Sequence, residues 1–203
     1  MRSRVMILDY GVGNLHSLVK GLVAAGAQVE VVPDPLDAVR GTALVLPGVG
    51  AFEPAAAVIA PGRSTLQRAL ADGYPALGIC LGMQLLFDIS EEGHGRGIGA
   101  IPGRVTRLRA TSVPQIGWNQ VDGPGEALVR ESGLREAYYA NSFACRPVDP
   151  AVVTAWTTHE EDRLPAVVRH GNVVGAQFHP EKSSAPGLGF LRAWVDSLPG
   201  GHG

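Results

Sequence analysis

Short apolar runs alternate with segments of helical apolar spacing through the first half of this chain. Val5 to Leu8, Ala27 to Val32, Ala43 to Leu46 and Ala76 to Ile79 read as strands. Leu15 to Ala25, Leu36 to Arg40, Leu66 to Ala71 and Leu81 to Ile89 read as helices between and after them. Strands that are apolar throughout, rather than at alternate positions, predict a parallel sheet with helices on both faces. Catalytic groups then belong at the carboxyl ends of those strands.

Beyond Gly99 the pattern changes to short strands separated by turns. They are expected over Arg104 to Leu108, Gly117 to Val121, Ala137 to Phe143, Val152 to Trp156, Ala166 to Arg169 and Asn172 to Phe178. His170-Gly171 reads as a hairpin connection, and a closing helix is expected from about Gly187 to Leu198. Glu91 to Gly99, rich in Gly and charge, reads as a mobile loop. The expectation is one α/β domain over residues 1–203: a parallel or mixed sheet flanked by helices, with an antiparallel addition in the second half.

Composition narrows the function classes. At 203 residues, 45% of them hydrophobic and with a net charge of −2, the chain reads as a globule with a full-sized core. Charged residues are only 18% and form no basic run, which gives nucleic acid no electrostatic footing. Asp9, Gly11 and Asn14 interrupt what would have to be a leader core, and no run approaches the roughly 20 apolar residues of a membrane span. A cytoplasmic, reducing setting with no membrane partner is expected, in which Cys80 and Cys145 stay free. Cys145, beside Arg146 and Pro147, reads as structural.

The candidate chemistry lies in Gly78-Ile79-Cys80-Leu81-Gly82-Met83-Gln84, where an apolar run meets a helical segment. A strand, a glycine-flanked turn and a helix are the parts of a nucleophile elbow, which lifts its central side chain above the sheet. The helix N-terminus behind it favours a thiolate. A lone buried cysteine is more often a core residue, but the flanking glycines and the helix that follows favour the elbow. Val173 to Phe178 reads as a second buried strand ending in His179-Pro180-Glu181. In extended chain His179 and Glu181 point to one side. Cys80, His179 and Glu181 then form a nucleophile, base and orienter, as a cysteine-dependent amide hydrolase requires. Elbow geometry makes the Leu81 amide an oxyanion donor. A second donor is expected from Pro47-Gly48-Val49-Gly50, whose glycines allow a peptide to reorient. Gln84, four residues from Cys80, can face the same site.

These residues carry a resemblance. Gly-Ile-Cys-Leu-Gly-Met-Gln at 78–84 with Gln-Phe-His-Pro-Glu-Lys-Ser at 177–183 resembles the class I glutamine amidotransferases. Asp9-Tyr10-Gly11-Val12-Gly13-Asn14-Leu15, Leu46-Pro47-Gly48-Val49-Gly50-Ala51-Phe52 and Pro114-Gln115-Ile116-Gly117-Trp118-Asn119 narrow it to the glutaminase subunits of imidazole glycerol phosphate synthases, from histidine biosynthesis. The resemblance covers Val5 to Leu198. It implies that Val49 supplies the second oxyanion amide and turns inward when the partner is active. It implies a glutamine pocket lined by Gly50, Gln84, Glu92, Ser142 and Phe143, with Glu92 taking the substrate ammonium. It places Asn14, Trp118, Asn119, Asn141 and Lys182 near the partner contact. The implied partner is a (βα)8-barrel cyclase, paired as a heterodimer, that receives the ammonia; no cofactor and no metal are implied. One departure stands out. Where such proteins usually read Tyr-Phe-Val-His-Ser-Tyr, this chain has Tyr138-Tyr139-Ala140-Asn141-Ser142-Phe143, which puts partner coupling in question but leaves the catalytic set intact. A sister amidotransferase of anthranilate or purine synthesis and a catalytically silent regulatory subunit are the alternatives.

Overall fold

The computed structural model describes residues 2–11, 15–48, 50–123 and 125–200. The first half runs β1 (Arg4–Leu8), α1 (His16–Ala24), β2 (Gln28–Val32), β3 (Ala43–Leu46), α2 (Phe52–Ile59), α3 (Arg63–Ala71), β4 (Ala76–Ile79) and α4 (Leu81–Leu85). The second half runs β5 (Ile89–Ser90), β6 (Gly103–Arg107), β7 (Gln115–Gln120), α5 (Ala127–Ser132), β8 (Glu136–Asn141), β9 (Phe143–Pro147), β10 (Val153–His159), β11 (Asp162–His170), β12 (Val173–Ala176) and α6 (Ser184–Asp196).

Seven strands form the main sheet in the order β10-β11-β12-β4-β3-β1-β2. The five from β12 to β2 are parallel, and β11 and β10 add an antiparallel edge. Every residue of β3, β4 and β12 is buried, as strands covered on both faces must be. Alternation in β1 sends Val5 and Ile7 into one core with Leu18, Leu22, Phe190 and Trp194, and Met6 and Leu8 into a second with Phe52, Ile59 and Leu66. Thus α1 and α6 cover one face of the sheet, and α2 and α3 the other.

Two smaller units flank this sheet. Strands β5, β6 and β9 form one, and β7 with β8 forms a two-stranded ribbon. Arg146 on β9 donates to Asp162 on β11 at 2.6 Å and so ties the three-stranded unit to the main sheet. The ribbon turns Tyr139 inward, where it meets Phe178 edge-on, and Phe178 meets Phe190 of α6 in the same way.

Several expected elements differ. Leu36 to Arg40 is a series of turns, not a helix. Asp34 holds it, accepting the Leu36 amide through its carboxylate and the Asp37 amide through its carbonyl. The elbow helix stops at Leu85 instead of Ile89, because the carbonyls of Leu85, Leu86 and Phe87 take amides from Ile98, Ile101 and Gly99. The stretch Ala137 to Phe143 breaks at Ser142 into β8 and β9, which pair with different partners. The hairpin turn is Gly171-Asn172, one residue beyond the expected dipeptide, since His170 pairs with Val173. Helices α2 and α5 were not foreseen; Pro54 sits in the first turn of α2, where proline is tolerated. The segment from Glu91 to Gly99 is tethered rather than loose: Glu91 accepts the Arg107 amide, Glu92 the Phe52 amide, and Arg63 holds the Arg96 carbonyl.

Candidate active site

Three neighbouring parallel strands, β3, β4 and β12, end together, and each delivers one part of the site. Cys80 follows β4 with φ +47 and ψ −103, a strained conformation for a residue with a side chain. Its amide is anchored by the Ala176 carbonyl at 2.7 Å. The flanking glycines are required by space: a Cβ at Gly78 would lie 2.6 Å from the Gly82 carbonyl oxygen, and one at Gly82 would overlap the Leu46 carbonyl. Gly48, after β3, lies against both reacting side chains. A Cβ there would stand 2.9 Å from His179 Cε1 and 3.0 Å from Cys80 Cβ.

His179 leaves β12 with its backbone locked to the ribbon. Its amide donates to the Tyr138 carbonyl at 2.8 Å, and its carbonyl accepts the Ser183 hydroxyl at 2.7 Å. Imidazole Nδ1 pairs with Glu181 Oε1 at 2.8 Å. The pairing with Glu181 arises differently from expectation. Pro180 to Lys182 is a 3₁₀ turn, not extended chain, so the turn brings the carboxylate back onto the ring. Burial alone would push the imidazole toward its neutral form. The hydrogen bonds and charges of Cys80 and Glu181 outweigh it and raise the His179 pKa to about 9. At neutral pH the ring is therefore an imidazolium, suited to stand beside a thiolate and to protonate a leaving amine.

Cys80 is 6% exposed. Its sulfur faces the Ala140 carbonyl at 3.9 Å and the Gln177 Nε2 at 3.6 Å. The sequence reading passed over Gln177; its place two residues before His179, just past the end of β12, was the available signal. Leu81 opens α4, so its amide is among those a helix start leaves without an intrahelical partner. Gln84 is buried beside the elbow and donates to the Phe143 carbonyl at 3.2 Å. The Ser142 carbonyl accepts the Leu108 amide, and Gly50 has φ +101. The Glu92 carboxylate accepts the Phe52 amide at the start of α2, at 3.1 Å. Val49 and Asn14 lie outside the described residues.

Around the ribbon, Trp118 is 53% exposed and Ile116 68%. Trp118 meets Tyr138 edge-on, and Lys182 Nζ sits 5.9 Å above the Tyr138 ring. Asn119 binds the Thr158 carbonyl. Asn141 lies on the inner side of the ribbon. It is 4% exposed and donates to the Phe143 carbonyl at 3.0 Å, because alternation along β8 turns it inward with Tyr139. An open groove of about 1120 Å³ runs past Trp118, Asp122, Arg135 and Ser184, yet contains none of Cys80, His179 and Glu181. Side-chain chemistry, rather than groove volume, locates the candidate active site.

Among curated relatives, the imidazole glycerol phosphate synthase subunit HisH of Acaryochloris marina is 43% identical, covering 96% of this chain and 94% of its own. The HisH of Halobacterium salinarum is 44% identical, covering 95% and 92%. A chain in the structure of PurLQS from Thermotoga maritima shares the fold at 19% identity, with a TM-score of 0.75 over 97% of this chain and 99% of that one. The family model for glutamine amidotransferase class-I matches residues 6–194, and with relatives of this identity along nearly its whole length, the chain belongs to the class I glutamine amidotransferases.

Proposed function

We propose that this chain is the glutaminase subunit of an imidazole glycerol phosphate synthase, acting through one amidotransferase domain over residues 1–203. The observation that carries the reading is the convergence of Gly48, strained Cys80 and the His179–Glu181 pair at three adjacent strand ends. The likeness to HisH subunits supplies the synthase assignment.

Cys80 attacks the glutamine side-chain carboxamide carbon as a thiolate, with His179 holding the proton. The C–N bond breaks as His179 returns that proton to the departing ammonia, leaving a thioester that water hydrolyses to glutamate. Glu181 holds the imidazole through Nδ1, which leaves Nε2 for the sulfur and the leaving group. The Leu81 amide, with Val49, stabilises the tetrahedral oxyanion. Gly50, Gln84, Glu92, Ser142 and Phe143 receive the substrate. Gln84 and Glu92 hold the Phe143 carbonyl and the Phe52 amide, so binding exchanges these bonds for contacts to glutamine.

Trp118, Asn119 and Lys182, together with outward-facing Ile116 and Tyr138, form the face that meets a (βα)8-barrel cyclase in a heterodimer. Among the described residues no helix is long and apolar enough to cross a membrane, which is compatible with a cytoplasmic synthase. The test is glutamate release with and without the cyclase subunit, alongside Cys80→Ala. The expected results are strong stimulation by the partner and loss of glutamine use in Cys80→Ala, with ammonium-dependent synthesis retained. A Cys80→Ala complex that still hydrolysed glutamine normally would overturn the thiol mechanism. A chain that never released glutamate in complex would point to a silent binding subunit.

A further inference from the structure

The Gln177 amide has no role in the mechanism above, yet it touches the reacting sulfur. Its side chain is fully buried, with Nε2 3.6 Å from Cys80 Sγ and Oε1 left without a partner. A buried carbonyl oxygen with no donor is costly. A methionine or leucine of similar volume would fill the same space without that cost, so packing does not account for the amide. An amide N–H is a donor that does not titrate, and thiolate sulfur accepts such bonds better than a thiol does.

The groups around the sulfur define what such a donor can do. From the exit of β12 comes the His179 imidazole, with Glu181 behind it. From β8 comes the Ala140 carbonyl, a partial negative charge that opposes a thiolate. From β9 comes Cys145, whose thiol burial pushes well up, so it remains neutral. From α4 come only uncharged side chains. Among the described residues, the side chain that donates to the sulfur is the Gln177 amide, at 3.6 Å. Unlike His179, it keeps its hydrogens while His179 gives its proton to the leaving ammonia.

We propose that Gln177 is a thiolate-stabilising residue of this active site, a fixed N–H donor that holds Cys80 ionised against the Ala140 carbonyl. The assignment rests on the nucleophilic role of Cys80. It implies that Gln177 acts twice in a turnover: before attack, and again when the thioester breaks and the sulfur recovers its charge.

The test is the pH profile of Cys80 alkylation by iodoacetamide, followed on the peptide carrying Cys80, in the parent chain, Gln177→Met and Gln177→Glu. Gln177→Met should alkylate about tenfold more slowly near pH 7 and reach the parent rate at high pH, a displaced midpoint rather than a lower plateau. Gln177→Glu, which sets a carboxylate beside the sulfur, should displace the profile further the same way. A purely structural role would lower the melting temperature and leave the midpoint alone. Should both variants fail to fold, the Gln177 side-chain NH2 resonances of the ¹⁵N-labelled parent decide: they should titrate with the alkylation midpoint and cease to do so in Cys80→Ser. Unmoved midpoints in folded variants, or amide resonances that ignore the titration, would overturn the proposal. A parent whose Cys80 reacts like an ordinary exposed thiol would instead count against the glutaminase reading itself.

Discussion

Gly48→Ala isolates the convergence of the three strand ends, because the substitution adds one methyl group and no charge. Gly48 is not among the residues with a positive φ, so alanine is not opposed there by a left-handed backbone. The methyl carbon would stand 2.9 Å from His179 Cε1, where carbon pairs settle at roughly 3.5 Å or more, so about 0.6 Å must be found. The imidazole has little room to yield: Glu181 holds Nδ1 at 2.8 Å, the His179 amide donates to Tyr138 of the ribbon, and its carbonyl accepts from Lys182 and Ser183 of the following turn. The other contacts, the Ile79 carbonyl at 2.9 Å and Cys80 Cβ at 3.0 Å, belong to the elbow. Catalytic groups tolerate about 0.5 Å of displacement, and a full ångström can cost about 10² in rate. Gly48→Ala should therefore lower glutamate release by the cyclase complex at least tenfold. Overpacking of this kind costs about 1–3 kcal/mol, which in a chain of this size lowers the melting temperature by roughly 2–12 °C. The assay is glutamate release at saturating glutamine, with thermal unfolding and ammonium-dependent synthesis as controls. If Gly48→Ala turned glutamine over within twofold of the parent while folded, the close packing of His179 against this loop would not set the rate.

Other outcomes follow from buried charge and exposed aromatics. Glu126, fully buried, caps α5 and takes two bonds from Arg169 at 2.6 and 3.2 Å, so Glu126→Ala should cost about 3–5 kcal/mol in a denaturant titration, while Glu126→Leu with Arg169→Met should recover most of it. Burial opposes ionisation of Glu126, but Arg169 outweighs it and lowers its pKa, so this contribution is present above the ordinary glutamate range and lost as pH falls through the folded value. The His179 Cε1 proton resonance should titrate near pH 9, since Cys80 and Glu181 outweigh burial; the linked stability is complete below about 6.5 and lost as pH rises through about 9, and a midpoint at 6.5 would contradict the paired geometry. Trp118→Ala, at an exposed site, should leave the melting temperature unchanged yet weaken the cyclase complex by about 2 kcal/mol, roughly thirtyfold in Kd by titration calorimetry.

Local pattern determined much of this protein. The uninterrupted apolar character of Ala43–Leu46 and Ala76–Ile79 marked them as strands covered on both faces, and the structure has these bounds. Gly-Ile-Cys-Leu-Gly carried the elbow, because a strained turn must be written in neighbouring residues: small ones on either side of the side chain being lifted. His179-Pro180-Glu181 was legible for the same reason, although a 3₁₀ turn rather than extended chain brings the carboxylate to the ring. Legibility ended where a residue's role depends on a partner distant in sequence. Gln177 reads as one more buried strand residue until Cys80, 97 positions earlier, is beside it. The Glu126–Arg169 pair spans 43 positions and has no motif. Gly48 looks like a turn glycine until two other strands end against it. The burial of Asn141 was not legible either, because which face of β8 packs inward depends on how Tyr139 meets Phe178, and Phe178 meets Phe190, across the fold. Periodicity and motifs record what a residue does to its neighbours in the chain; distances between side chains on different strands arise only when the sheet brings those strands into register.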